Sequence, residues 1–208
     1  MADNISIKDG TGTSITLATK DLAGVQHNKS IPVDIDGTTL FDGTHSLGRV
    51  GGFNAIPSAS FTRPADTTAY ASGDLVANSV TAGSVTPMSF TMSRVTGVGG
   101  MLRRVRVRKS GTSVANATFR VHIYTASPTM TNGDNGAWSS NQVANYAGSV
   151  DVTLDKVFTD GSSGYGAPLI GNEINFTADT CYIVLEARAA YTPGSAEVFT
   201  VDLELLRN

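Results

Sequence analysis

Three histidines, His27, His45 and His122, stand far apart in the chain, and the single cysteine, Cys181, lies beside none of them. Protein zinc sites draw paired Cys and His ligands at short, fixed spacing, so no metal centre and no cofactor are expected. Glu173, Glu186 and Asp202 are the carboxylates from which a glycosidase-like acid–base pair would be drawn. Glu186 and Asp202 fall on the polar parity of alternating segments and are expected on solvated strand faces. The nucleophile pattern G-x-S-x-G does not occur. Gly48-Arg49-Val50-Gly51-Gly52 and Val98-Gly99-Gly100 are glycine-rich but lack the spacing of a phosphate or dinucleotide loop, and they read as turns. Asp34-x-Asp36-Gly37 and Asn132-Gly133-Asp134-Asn135 open like calcium loops but lack the later ligands, notably the bidentate glutamate. No enzyme is expected from these residues.

The charged residues with partner-binding chemistry are arginines. In residues 101–109, Val105 and Val107 point one way on a strand, and Arg104, Arg106 and Arg108 point the other. In residues 116–124, Ala117, Phe119, Val121 and Ile123 share one face, and Asn116, Thr118, Arg120 and His122 share the other. The intervening residues 109–115 are polar at first and contain Gly111, so a hairpin is the simplest connection. Paired that way, the arginines would meet like charges across the ladder at a cost of roughly 0.2–1 kcal/mol each. Two readings follow: an acidic partner covers the face, or the face is solvated and screened by salt. Leu102 sits on the parity of Arg104 and not of Val105, which predicts a bulge near Arg103. Arg104, Arg106, Arg108 and Arg120 are therefore secondary candidates for partner contacts. So are Trp138 and Tyr146, which lie in the unpatterned stretch 127–147. There an aromatic either anchors a contact or folds back to cap the core.

These residues need a scaffold, and the chain is long enough to supply one. At 208 residues it buries roughly 70% of its unfolded surface. Lys and Arg total 15 against 18 Asp and Glu, a net charge of −3, which is not the basic balance of a nucleic-acid binder. Only 16% of residues are charged, below the usual level of about 25%. That suits β-structure with much of its surface covered by neighbours. Cys181 falls in an alternating apolar run and reads as a small buried hydrophobe. No apolar run reaches the length of a membrane span. The opening Met-Ala-Asp-Asn has no basic or apolar leader, so synthesis in a host cytoplasm is expected.

Strands are predicted over residues 74–80, 88–95, 101–108, 116–124, 149–154, 173–176, 181–188 and 196–205. Turns such as Thr192-Pro193-Gly194-Ser195 separate them. The expected fold is all-β, an antiparallel jelly-roll-like β-sandwich over residues 57–208. Residues 1–56 read as an extended N-terminal arm and a Gly-rich linker. The arm carries Ile5, Ile7, Ile15, Leu17, Leu22, Val25, Ile31 and Val33 in short, weakly hydrophobic strands. Hairpins of that kind are marginal alone in water, so these residues are the leading candidates for packing on a partner.

The same arm carries a resemblance. Asp9-Gly10-Thr11-Gly12-Thr13, Ala18-Thr19-Lys20-Asp21, Gly24-Val25 and Lys29 resemble a module found near the start of tailed-bacteriophage virion proteins. Ala23 stands where that pattern has a glycine. The resemblance covers about the first 35 residues and implies a structural virion protein, with capsid decoration (cement) the leading role. Such proteins sit on the capsid surface, often as trimers, and bridge capsomers against internal DNA pressure. The implied partners are the major capsid protein and further copies of this chain, with no direct nucleic-acid contact and no membrane. The alternatives are a phage tail or baseplate component, or a carbohydrate-binding receptor-recognition sandwich with Trp138, Tyr146 and Tyr165 as its aromatic platform.

Overall fold

The computed structural model describes residues 5–8, 14–17, 19–22 and 25–28 and, from residue 53 to residue 207, all but 95, 98, 171 and 172. The chain divides into two units, Met1–Val50 and Gly51–Asn208. In the first, β1 (Ile5–Lys8) pairs antiparallel with β2 (Ser14–Leu17), setting Ile5 opposite Leu17 and Ile7 opposite Ile15. β3 (Thr19–Leu22) pairs with β4 (Val25–Asn28), setting Leu22 opposite Val25. Each candidate arm residue in these strands thus has another apolar residue as its cross-strand neighbour. Ile31 and Val33 lie outside the described residues.

The second unit is an antiparallel β-sandwich. Its strands are β5 (Phe53–Ala55), β6 (Ser58–Thr62), β7 (Leu75–Val76), β8 (Met88–Thr91), β9 (Gly100–Lys109), β10 (Thr118–Tyr124), β11 (Tyr146–Thr153), β12 (Lys156–Phe158), β13 (Gly161–Gly166), β14 (Ile174–Phe176), β15 (Thr180–Ala187) and β16 (Val198–Arg207). All eight predicted strands are present. β5 lies in the stretch read as linker and β6 just after the expected boundary at residue 57, and both pair with β16. The sandwich therefore begins ahead of that boundary.

Several of these strands are halves of one broken strand. β5 and β6 follow each other along β16, β7 and β8 along β15, and β14 and β13 along β9. Counted this way, with β12 set aside, there are eight, numbered here in chain order. The larger sheet runs sixth–third–eighth–first, with β12 added at the sixth strand's free edge; the smaller runs fifth–fourth–seventh–second. First pairs with eighth, second with seventh, third with sixth and fourth with fifth. The chain is one long antiparallel ribbon, rolled so that alternate pairs enter opposite sheets, which is the jelly-roll winding.

This winding corrects the expected hairpin. β9 and β10 do not pair; they lie in opposite sheets. Their apolar faces meet across the core instead of sharing one side of it. Val105 and Val107 on β9, Phe119, Val121 and Ile123 on β10, Ile183 and Leu185 on β15, and Phe199, Val201 and Leu203 on β16 are all buried in one cluster. Phe119 meets Phe199 edge-on across the sheets at 5.2 Å between ring centroids, a geometry favoured by the ring quadrupoles. Cys181 is fully buried in the same cluster, and burial pushes its thiol up to about 12. The bulge predicted at Arg103 is present: Glu204 pairs with Arg104 and Leu205 with Leu102, so Arg103 is the extra residue.

The backbones of the two sheets come into close contact where β13 passes β11. A Cβ on Gly164 would lie 2.0 Å from the Thr153 carbonyl oxygen, and one on Gly166 would lie 2.3 Å from that of Asp151. Only glycine permits this contact between backbones, and this Gly/Ser-rich segment is a strand.

Residues 126–140 do not form a free loop. They cross the outer face of the smaller sheet, where Met130 joins Leu75, Ala77, Tyr124 and Val184 in a second buried cluster with Trp138 against it. Asp134 pins this cover. Its Oδ2 accepts from Arg63 Nη2 at 2.9 Å, and its Oδ1 accepts from the Tyr70 hydroxyl and the Ala77 amide, each at 2.7 Å. Arg63 Nε donates to the Tyr70 hydroxyl at 2.8 Å. The Asp134 carboxylate, a calcium candidate by sequence, is thus engaged inside the protein. Burial raises its pKa above the ordinary carboxylate range despite the bonds from Ala77, Tyr70 and Arg63. Removing one member of a buried charge pair strands the other. Asp134→Ala should cost about 3–5 kcal/mol of stability, read as a lowered urea midpoint. An unchanged midpoint would show that the network is not structural.

Candidate interaction surfaces

The outer face of the larger sheet carries three of the candidate arginines, and β16 places acids beside them. Arg106 lies opposite Asp202 and Arg104 opposite Glu204. Arg104 Nη2 reaches Glu204 Oε2 at 2.7 Å. Arg106 Nε and Arg108 Nε both reach Asp202 Oδ2, at 2.8 and 2.9 Å, and Arg108 Nη2 reaches Asp202 Oδ1 at 3.2 Å. The cross-strand repulsion expected of the hairpin therefore does not arise. Asp202 is not on a solvated face as expected; it is nearly buried beneath two guanidinium groups. Burial raises its carboxyl pKa, but the hydrogen bonds from Arg108 and Arg106 outweigh that and hold it below the ordinary carboxylate range. The acidic partner that the arginine parity called for is the last strand of the same domain. Sequence reading missed it because Asp202 and Glu204 were not assigned to the neighbour of 101–109, although their parity matches.

Arg120, His122, Trp138 and Tyr146 come together on the other sheet. Arg120 grips Asp151 of β11 with two parallel bonds of 2.7 and 2.8 Å. His122 is buried beneath Trp138, whose ring stacks on the imidazole at 3.9 Å between centroids, 9° from parallel. His122 Nε2 lies 2.7 Å from Glu186 Oε2, and Nδ1 lies 3.0 Å from the Tyr146 hydroxyl. Arg188 Nη1 donates to Glu186 Oε1 at 2.6 Å. Glu186 is also buried, contrary to the expected solvated face, because the Trp138 segment covers it. Trp138 thus caps the sheet, and Tyr146 is the more exposed member of the cluster. No cluster of three metal-ligating side chains occurs among the described residues.

Burial lowers the His122 pKa below 6.5, although the Glu186 bond works against it. As pH falls through 6.5, the unfolded chain takes up this proton before the folded one, and stability drops. The protein should lose thermal stability between pH 7 and about pH 5, and His122→Gln should lose less. Equal slopes for the two proteins would show that His122 does not titrate this way. On the larger sheet, Asp202→Asn should lower stability by about 1–2 kcal/mol, the worth of charge-assisted hydrogen bonds, read by denaturant unfolding.

Compared with protein-family models and with curated proteins, the chain matches none.

Proposed function

We propose that this protein is a structural component of a bacteriophage virion, one that decorates the capsid and stabilises it by bridging capsomers, as a trimer on the capsid surface. The observation that carries the reading is a coincidence of motif and architecture. The stretch that resembles the phage virion module contains two pairs of four-residue strands, β1–β2 and β3–β4, in a unit distinct from the sandwich. Hairpins of that length are marginal alone and gain stability when their apolar residues find a surface or an open sheet edge. The jelly roll is a fold of viral capsid and lectin domains; that is support by analogy of fold.

The pairing of the sandwich arginines sharpens where the contacts lie. Arg104, Arg106, Arg108 and Arg120 have carboxylates within their own domain, so capsid attachment is assigned to the arm. Many weak arm contacts repeated over a lattice act multivalently, and the partners are the major capsid protein and copies of this chain. Deleting residues 1–35 should leave a sandwich with its cooperative unfolding transition and abolish co-sedimentation with capsids stripped of the protein. Undiminished capsid binding by the shortened chain would overturn the proposal.

A further inference from the structure

We propose that the groove at the β12–β13 edge of the larger sheet is a binding site for an acidic saccharide, a sugar unit carrying a carboxylate. This inference does not depend on the capsid reading. The groove has a volume of about 230 Å³, the scale of a sugar unit rather than of a drug-sized ligand. Its floor is Gly161 and Ser163, and its walls are Phe158, Tyr165, Arg106, Arg108 and Lys156.

The register explains the shape. Phe158 lies opposite Gly161 and Lys156 opposite Ser163, while Ser163 and Tyr165 lie opposite Arg108 and Arg106. All these side chains leave the sheet on its outer face. Gly161 and Tyr165 are four residues apart, so the two aromatic rings stand at opposite ends of a trough roughly 13 Å long at about 3.3 Å per residue. Phe158 and Tyr165 are 56% and 49% exposed, and the Arg104 guanidinium packs over the Tyr165 ring, 4.5 Å from its centroid.

The electrostatics set the sign of the ligand. Two arginines share one carboxylate, Asp202, and that carboxylate is hidden: its side chain is 4% exposed against 36% for Arg106 and 44% for Arg108. The surface therefore presents guanidinium donors and conceals their counter-charge. Lys156, on the opposite wall, is paired with Asp155 at 2.5 Å, and Asp160 is the one acid lining the groove. A guanidinium edge suits a ligand carboxylate.

The floor sets the class. A peptide strand would need apolar pockets for alternate side chains, and Gly161 and Ser163 provide none. A sugar ring presents apolar C–H faces to aromatic rings and hydroxyls to a serine, and this trough offers both.

The test is an NMR titration of the full chain with tetragalacturonate, alongside its fully methyl-esterified, neutral form. The acidic tetrasaccharide should shift the Ser163, Tyr165 and Phe158 amides at millimolar concentration or below, and the ester should not. Phe158→Ser and Arg108→Gln should each weaken binding by about tenfold; Phe158→Ser should keep the wild-type thermal transition, and Arg108→Gln should lower it through the lost bonds to Asp202. Both replace exposed side chains, and two separate variants guard against loss of fold in one. Absence of binding, equal binding of acid and ester, or shifts confined to other residues would overturn the proposal. Equal binding of hexa-aspartate would overturn it by showing that charge alone is read. Self-association abolished by Phe158→Ser, with no saccharide-induced shifts, would overturn it in favour of a second copy of this chain.

Discussion

The pairing of β9 with β16 is the interaction on which the rest of the sandwich depends. It is the longest ladder in the molecule, running from Gly100 to Lys109 on one strand and from Phe199 to Arg207 on the other. Its inner face places Val105 beside Leu203 and Val107 beside Val201 in the main core. Its outer face places Arg106 beside Asp202 and Arg104 beside Glu204. One register satisfies both faces. A slip of one residue would bring charges into the core and valines to the surface, so apolar packing and ion pairing select the same alignment. The bulge at Arg103 returns Leu102 to the inner face, where it is buried.

Much of this was legible in the residues, and the illegible part has a physical cause. The alternation in β9, β10, β15 and β16 marks each as a strand with one buried face, and the core residues follow from it. Alternation does not say which strand lies beside which. A hairpin of β9 with β10 and a pair of strands facing each other across a core demand the same period of two. The distinction rests on long-range pairing between the third and eighth strands, which leaves no local mark. The β5, β6 and β13 strands were illegible for another reason. Ser58-Ala59-Ser60 and Gly161-Ser162-Ser163-Gly164 carry small side chains because of close backbone approach or half-exposed edges, and small side chains also make loops. Of the candidate site residues, the arginines were identifiable as one face, but their neutralisation by Asp202 and Glu204 was not.

The two sheets treat their outer faces differently. The smaller sheet is covered: Met130 and Trp138 close over Tyr124, Val184 and His122. That coverage turns a polar strand parity into a second buried cluster and sets the environment of His122. The larger sheet keeps its outer face open around Arg104, Arg106, Arg108 and Tyr165, with β12 at its margin.

Among the described residues of this small domain, two ionic contacts between full charges are enclosed. Arg63 meets Asp134 at 2.9 Å, and Lys109 meets Glu197 at 3.1 Å beside the Tyr191 hydroxyl, all with side chains almost wholly withdrawn from water. Keeping charges dry is expensive at ambient temperature. The hydration that these groups forgo is entropically unfavourable, so the penalty shrinks on heating while the gain from apolar burial levels off. The share of stability held by these two contacts therefore grows with temperature, and the domain has internal fasteners that tighten in relative terms as its oily interior loses leverage.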